Sequence, residues 1–278
     1  MLFAVFAALF YGISDFLAGV CARTAQSVMG VAFVVQAAAV IPAFAFALTR
    51  PVPLTAGALG WGSFAGIGLV VGSGALYLGL ARGAMGVVAP TSAIVSAAVP
   101  VLVAVALREK FALAAVLGIL LAVPALVMIA APAEQRTSEA SLGWRVTDLG
   151  FGGIAGVGIG ISYVAYGAAR GRGFWPVPIS LALSTAIFAA VLLYSERPRA
   201  LDLNWRIGLA AGASLGLACA AFRLSVSGRS VAVSSVVTSL YPAVTVVLAA
   251  VVLKERIGGV RALGLLGAVI SIALVTYG

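Results

Sequence analysis

The sequence has no histidine, two cysteines in 278 residues and charged side chains at only 9% of positions. The missing histidine removes Ser-His and Cys-His nucleophilic sites, the commonest general base and the commonest metal ligand. Cys21 and Cys219 lie at or in apolar stretches, with no spacing that suggests a metal site or a redox pair. Neither a catalytic group nor a metal or other cofactor is therefore expected. Eight acids and 17 bases cannot cover the surface of a water-soluble protein of this length; average soluble domains carry roughly 25% charged residues. A soluble globular domain, a disordered chain and a secreted disulfide scaffold are excluded.

What is present is apolar. Hydrophobic residues make up 63% of the chain and mean hydropathy is +1.19. The runs are long and unbroken, unlike the alternating segments of about ten residues in a transmembrane β-barrel. A span needs about 20 apolar residues. Cutting at charged and Pro/Gly-rich breaks gives ten: 2–21, 29–48, 58–80, 86–107, 112–131, 149–169, 175–194, 206–226, 231–252 and 260–277. The first lacks a basic leader and reads as a retained span. The net charge of +9 is spread singly and in pairs between the runs. That pattern predicts contact with anionic lipid headgroups, not with nucleic acid. The expected partners are the lipid bilayer and a small-molecule substrate, with protons a candidate coupling ion and no obligate protein partner evident.

The halves match each other. Residues 75–87 align without gaps on 221–233, and the same shift places Leu107-Arg108-Glu109-Lys110 on Leu253-Lys254-Glu255-Arg256 and Gly118 on Gly264. With a slip of one or two residues, Gly12-Ile13-Ser14 falls on Gly160-Ile161-Ser162, and Arg50-Pro51 on Arg197-Pro198. Several matches in one order are a repeat signal. The expectation is an all-α integral membrane protein of ten transmembrane helices, arranged as two inverted five-helix repeats. Residues 1–131 form the first repeat, 132–148 a polar linker and 149–278 the second repeat. Five spans per repeat is odd, so the second enters the membrane upside down, a plan that puts a substrate site near the midplane between repeats. Both termini then share a side. About 7 bases fall on that side and about 10 on the other, a slight bias toward termini outside.

At the Leu107–Lys110 and Leu253–Arg256 turns the chain resembles the drug/metabolite transporter superfamily, EamA type. The pattern in each repeat is a Trp-Gly-Ser-like start to the first span, a proline-containing fourth span, a Glu-Arg-like turn and a glycine opening the fifth. Here these are Tyr11-Gly12-Ile13-Ser14 and Gly160-Ile161-Ser162, then Pro90, Pro100 and Pro242, then Glu109 and Glu255, then Gly118 and Gly264. Tyr11 stands where Trp is usual, and Ser96, not a proline, aligns with Pro242. The resemblance covers nearly the whole chain. It implies ten helices in an inner membrane, cytoplasmic termini against the charge bias, and export of amino acids, drugs or other small metabolites.

Asp15 is the acid well inside a span, and an ionisable group there is costly and a functional hypothesis by default. It could bind a substrate ammonium or take up a proton; a structural hydrogen bond is the competing reading. Asp15 lies about 20 Å along helix one and Arg223 about 5 Å from the same side on an opposed helix, so a direct pair is not expected. Arg223 either snorkels to the interface or lines a cavity mouth, where it would suit a carboxylate or phosphate.

Hydroxyl stripes add further candidates: Ser235, Thr238, Ser239 and Pro242 on one face of helix nine, Ser92, Ser96 and Pro100 on helix four, Tyr11 and Ser14 on helix one, Ser162, Tyr163 and Tyr166 on helix six, and Ser73 and Tyr77 on helix three. With Phe222 and Tyr241 they would line a central cavity and stack on or attract a substrate; ordinary helix packing is the alternative. Pro90, Pro100 and Pro242 are hinge or gate candidates. Trp61, Trp144, Trp175 and Trp205 read as interfacial anchors, and Gly62, Gly66, Gly152, Gly156 and Gly160 as helix-packing positions.

The function expected is a secondary transporter that exports small metabolites, neutral or aromatic amino acids foremost, by alternating access. A flippase for lipid or lipid-linked sugar, or a drug exporter, of the same fold is the alternative. A membrane enzyme is disfavoured, because paired intramembrane carboxylates and a metal set are missing. A channel would show a ring of like residues, and direct use of ATP would need a Walker motif.

Overall fold

A computed structural model of the chain describes residues 1–49, 52–82, 85–130, 142–195, 201–254 and 257–277. Among them every regular element is a helix: α1 (Leu2–Thr24), α2 (Val28–Leu48), α3 (Ala56–Ala81), α4 (Met85–Ala106), α5 (Leu113–Ile129), α6 (Leu142–Ala168), α7 (Pro176–Ser195), α8 (Trp205–Ser227), α9 (Val231–Thr238), α10 (Tyr241–Val252) and α11 (Gly259–Tyr277). Nine stretches are long and apolar enough to cross a membrane, α9 and α10 counting together, and α5 is a shorter apolar helix. The chain is an all-α membrane protein. Helices suit this composition because they satisfy their own backbone polar groups where no water can.

Local signals set several boundaries. Ser27, Thr55 and Asn204 each stand before a helix and accept a hydrogen bond from the backbone N–H three residues on, which satisfies one free donor of the first turn. At the end of α4 the N–H of Glu109 reaches the carbonyl of Ala104 and that of Arg108 reaches Val105. This is a Schellman stop, and Arg108 takes the left-handed conformation that glycine usually supplies, φ 56°. Lys254, its match in the repeat, has φ 55°. The Arg50-Pro51 and Arg197-Pro198 matches, and Glu255 itself, lie outside the described residues.

Two boundaries differ from expectation. Helix α6 begins at Leu142, which puts Asp148 inside a helix, where it is buried; residues 131–141, most of the expected linker, are outside the description. The second difference is the ninth span. It is two helices, because Pro242 lacks an N–H and its ring clashes with the carbonyl of Thr238, four residues back. Pro90 and Pro100 lie within an unbroken α4.

Small residues let these helices touch. The backbones of α3 and α6 cross where Gly68 and Gly72 meet Gly158. Gly62 and Gly66 of α3 meet α7, Gly212 and Gly216 of α8 meet α2, and Gly152, Gly156 and Gly160 of α6 meet α4. In lipid such van der Waals fit, not water exclusion, drives helix association. The pairings come in matched sets: α3 on α6 with α8 on α1, α3 on α7 with α8 on α2, and α6 on α4 with α1 on α9–α10. The pair α5 and α11 matches itself. Gly118 sits against Ser271 and Val275, and Gly264 against Ala125 and Ile129, positions that the 146-residue shift exchanges.

Candidate functional site

The expected aromatic residues meet at the centre. Tyr11 of α1 lies 6.1 Å from Tyr163 of α6 and 6.3 Å from Tyr241 of α10, ring centre to ring centre. Tyr163 stacks on Phe222 of α8 at 4.2 Å, and Tyr166 lies 6.4 Å from Phe222. All five are buried. Four helices from both halves thus supply one continuous aromatic cluster, with the rings closed on one another. Hydroxyls anchor its edge: Tyr11 to the Cys219 thiol at 3.3 Å, Tyr166 to Ser180 of α7 at 2.5 Å, and Tyr241 donating to the Ala89 carbonyl of α4 at 3.4 Å.

Asp15 lies one turn beyond Tyr11 on α1 and is 7% exposed. Tyr77, Tyr163 and Tyr241 stand within electrostatic reach of its carboxyl. Among the described residues it has no ion pair and no hydrogen-bond donor. The neighbouring Ser14 hydroxyl is also buried without a partner.

Arg223 is buried, 3% exposed. Its guanidinium donates to the Ala169 carbonyl at the end of α6 at 2.9 Å and lies over the Phe174 ring at 5.8 Å. No bond joins it to Asp15. Helices α1 and α8 are antiparallel and touch at Tyr11 and Cys219, so Asp15 and Arg223 lie on opposite sides of that contact, about 12 Å apart along the axis at 1.5 Å per residue.

The hydroxyl stripes divide. Ser96 of α4 and Ser239, at the α9–α10 break, share a hydrogen bond of 3.1 Å across the two halves, and Ser92 is buried nearby on α4. Ser73 receives a hydrogen bond from Gln36 at 3.0 Å and donates to the Leu69 carbonyl. Other members donate to backbone carbonyls. Ser162 donates to the Ala65 carbonyl of α3 at 2.8 Å, Ser235 to its own helix at Ala232, and Thr238 to the Ala4 carbonyl of α1 at 3.4 Å. The break in the ninth span falls beside the cluster, since Tyr241 and Pro242 open α10.

Gln36 is the residue that sequence reasoning passed over. It is fully buried in α2, and its carbonyl oxygen has no partner. The rule that singled out Asp15, a polar group deep in an apolar run, also applies to it. Asp148 forms an ion pair with Arg82 at 3.6 Å, tying the start of α6 to the end of α3. Glu109 accepts a hydrogen bond from Ser230 at 2.7 Å, joining the α4–α5 and α8–α9 turns. Trp175 donates to the Val52 carbonyl at 2.7 Å at an interhelical loop, while the side chain of Trp144 lies outside the description. Among the described residues no group of three or more metal-ligand side chains forms.

Helices of membrane-crossing length around a buried aromatic and polar centre define a polytopic helical membrane protein. Residues 149–277 match the profile of the EamA-like transporter family. No curated protein matches the chain. Sixteen chains of solved structures do. One, described as "Crystal structure of protein", superposes with a TM-score of 0.77 at 16% identity, covering 99% of this chain and 95% of its own. At that identity the likeness shows the fold alone.

Proposed function

We propose that this chain is a secondary transporter that exports small metabolites, neutral or aromatic amino acids foremost, across the inner membrane. It works as two inverted repeats, residues 1–131 and 149–278, with both termini in the cytoplasm. The observation that carries the reading is the Asp15 carboxyl, buried, without a basic partner among the described residues, and within electrostatic reach of three tyrosines. An ammonium group fits there, because a carboxylate supplies charge and tyrosine rings attract cations through their faces. The aromatic cluster suits the apolar part of such a molecule. The match of residues 149–277 to a transporter family supports the same reading. Protons are the candidate coupling ion, taken up by the same carboxyl when cargo leaves.

The test is counterflow of labelled amino acids into liposomes that hold the purified protein, with empty liposomes as control. Saturable exchange is expected, and an imposed pH gradient that alters net flux would establish coupling. No exchange by folded, inserted protein would overturn the amino-acid reading and turn attention to a lipid or lipid-linked sugar substrate.

A further inference from the structure

The Arg223 guanidinium is buried deep in the membrane protein with its bonding capacity largely unused. One of its nitrogens donates to the Ala169 carbonyl, while Nε and the other terminal nitrogen are fully buried and have no acceptor among the described residues. Arginine carries five N–H donors on a permanent charge, and leaving such donors dry and unpaired is expensive. The surroundings add positive charge. Arg170 is close enough to repel Arg223, and it is itself held in place by the carbonyls of Val226 and Arg229. Both acids that the structure buries are elsewhere: Asp15 lies across the aromatic cluster, and Asp148 is paired with Arg82. The nitrogen that bonds Ala169 keeps a second N–H, which lies beside an unpaired N–H of either Nε or the other terminal nitrogen, so the guanidinium, with the Phe174 ring against its face, keeps one two-pronged edge open as a fork. That fork matches the two oxygens of a carboxylate or phosphate.

We propose that Arg223 is an oxyanion-binding station at the α6–α8 end of the route, separate from the Asp15 station and divided from it by the Tyr163–Phe222 stack. The roughly 12 Å between the two along the helix axes is too long for the ammonium and carboxylate of one small amino acid to occupy both at once. Cargo would therefore pass its charged groups from one station to the other, or an anion would hold Arg223 while cargo sits at Asp15. The inference rests on the transporter reading only for the use made of the bound ion; the binding itself is tested without transport.

The full chain, purified in neutral detergent, is titrated with sodium acetate and, separately, with inorganic phosphate at constant ionic strength, and the thermal unfolding midpoint is followed. A saturable rise is expected for at least one of the two. It should vanish in Arg223→Gln and persist, weakened, in Arg223→Lys, while Arg206→Gln, at an exposed position in the first turn of α8, responds like the parent. A further titration with vesicles of neutral lipid containing phosphatidylglycerol separates a lipid headgroup from a free anion: a free-anion site gives the rise in detergent alone, and a lipid site only when anionic lipid is added. No saturable rise with any of the three probes, or an equal rise in Arg223→Gln, overturns the proposal. If binding is seen but amino-acid counterflow is absent, the station stands and the amino-acid reading falls. Counterflow without binding gives the reverse.

Discussion

At the residue scale, Asp15 and Gln36 show what a buried polar group requires. Asp15 has tyrosine neighbours but, among the described residues, no cation, so a carboxylate there would have no partner of opposite charge. Asp15→Asn keeps the shape and removes the charge. Its expected effect on counterflow of an ammonium-bearing substrate is a drop of about tenfold or more, the worth of one hydrogen bond to a charged group. Half-saturation, measured in the same liposomes, should rise while the unfolding midpoint stays near that of the parent. Unchanged half-saturation would remove Asp15 from the site. Asp15 was legible in the sequence because acids are so scarce there. Gln36 obeys the same physics, but an uncharged carboxamide in an apolar run draws less notice. Arg223 was visible as a residue and not as an environment: its helix position gave its depth, and only the fold shows Ala169 and Phe174 against its guanidinium.

At the element scale, the two sets of helix breakers behave differently. Pro90 and Pro100 lie in a continuous α4, whereas the ninth span ends at Thr238 and restarts at Tyr241. The sequence marked all three prolines alike. What differs is what holds the broken turn: Thr238 donates to the Ala4 carbonyl of α1 and Ser239 bonds across to Ser96 of α4. Ser96 at the matched position in α4 has no such proline, and α4 runs straight through it. Pro242→Ala restores the missing donor and is expected to leave the protein folded while slowing exchange several-fold with little change in half-saturation. A hinge has that signature, and an equal fall in binding would assign Pro242 to the site instead.

The α3–α6 crossing gives a second check at this scale. A methyl group at Gly158 would meet the Gly72 nitrogen at 2.5 Å and the Gly68 oxygen at 2.6 Å, both backbone, whereas one at Gly153 meets nothing within 4 Å. Gly158→Ala should therefore destabilise the protein by the cost of overpacking, about 1–3 kcal/mol, read as a lower unfolding midpoint. Gly153→Ala should be neutral or slightly stabilising, as helix propensity dictates. Equal effects would mean that the crossing is not as close as described. The four-residue glycine spacings were readable as contact points, but which helix each one touches was not, because spacing names a face and not a partner.

At the scale of the whole molecule, the contacts between loops carry the argument about topology. The α1–α2 loop meets the α7–α8 loop, where Gln26 donates to Asp202 at 2.9 Å. The α2–α3 loop meets the start of α7, where Trp175 donates to Val52. Exchange of the two halves turns one meeting into the other, as it does the glycine contacts of α5 and α11. Sequence reading reached the repeat through a few short matches and could not reach these contacts, since a match between two loops does not say which loops touch. Charge did not orient the chain either, because the bases divide almost evenly between the sides. Two inverted repeats require these loop pairs to lie on opposite membrane faces, with Val52 on the side of the termini. Gln26 and Leu54 are exposed and both native cysteines are buried, so single cysteines at these two positions can be read by a membrane-impermeant thiol reagent. In intact cells Gln26→Cys should label and Leu54→Cys should label only after the membrane is opened. The opposite pattern would place the termini outside and keep the inverted plan, in line with the slight bias of the bases. Labelling of both from one side would break the plan itself, because no arrangement of five-span inverted repeats puts the first and second loops on the same face.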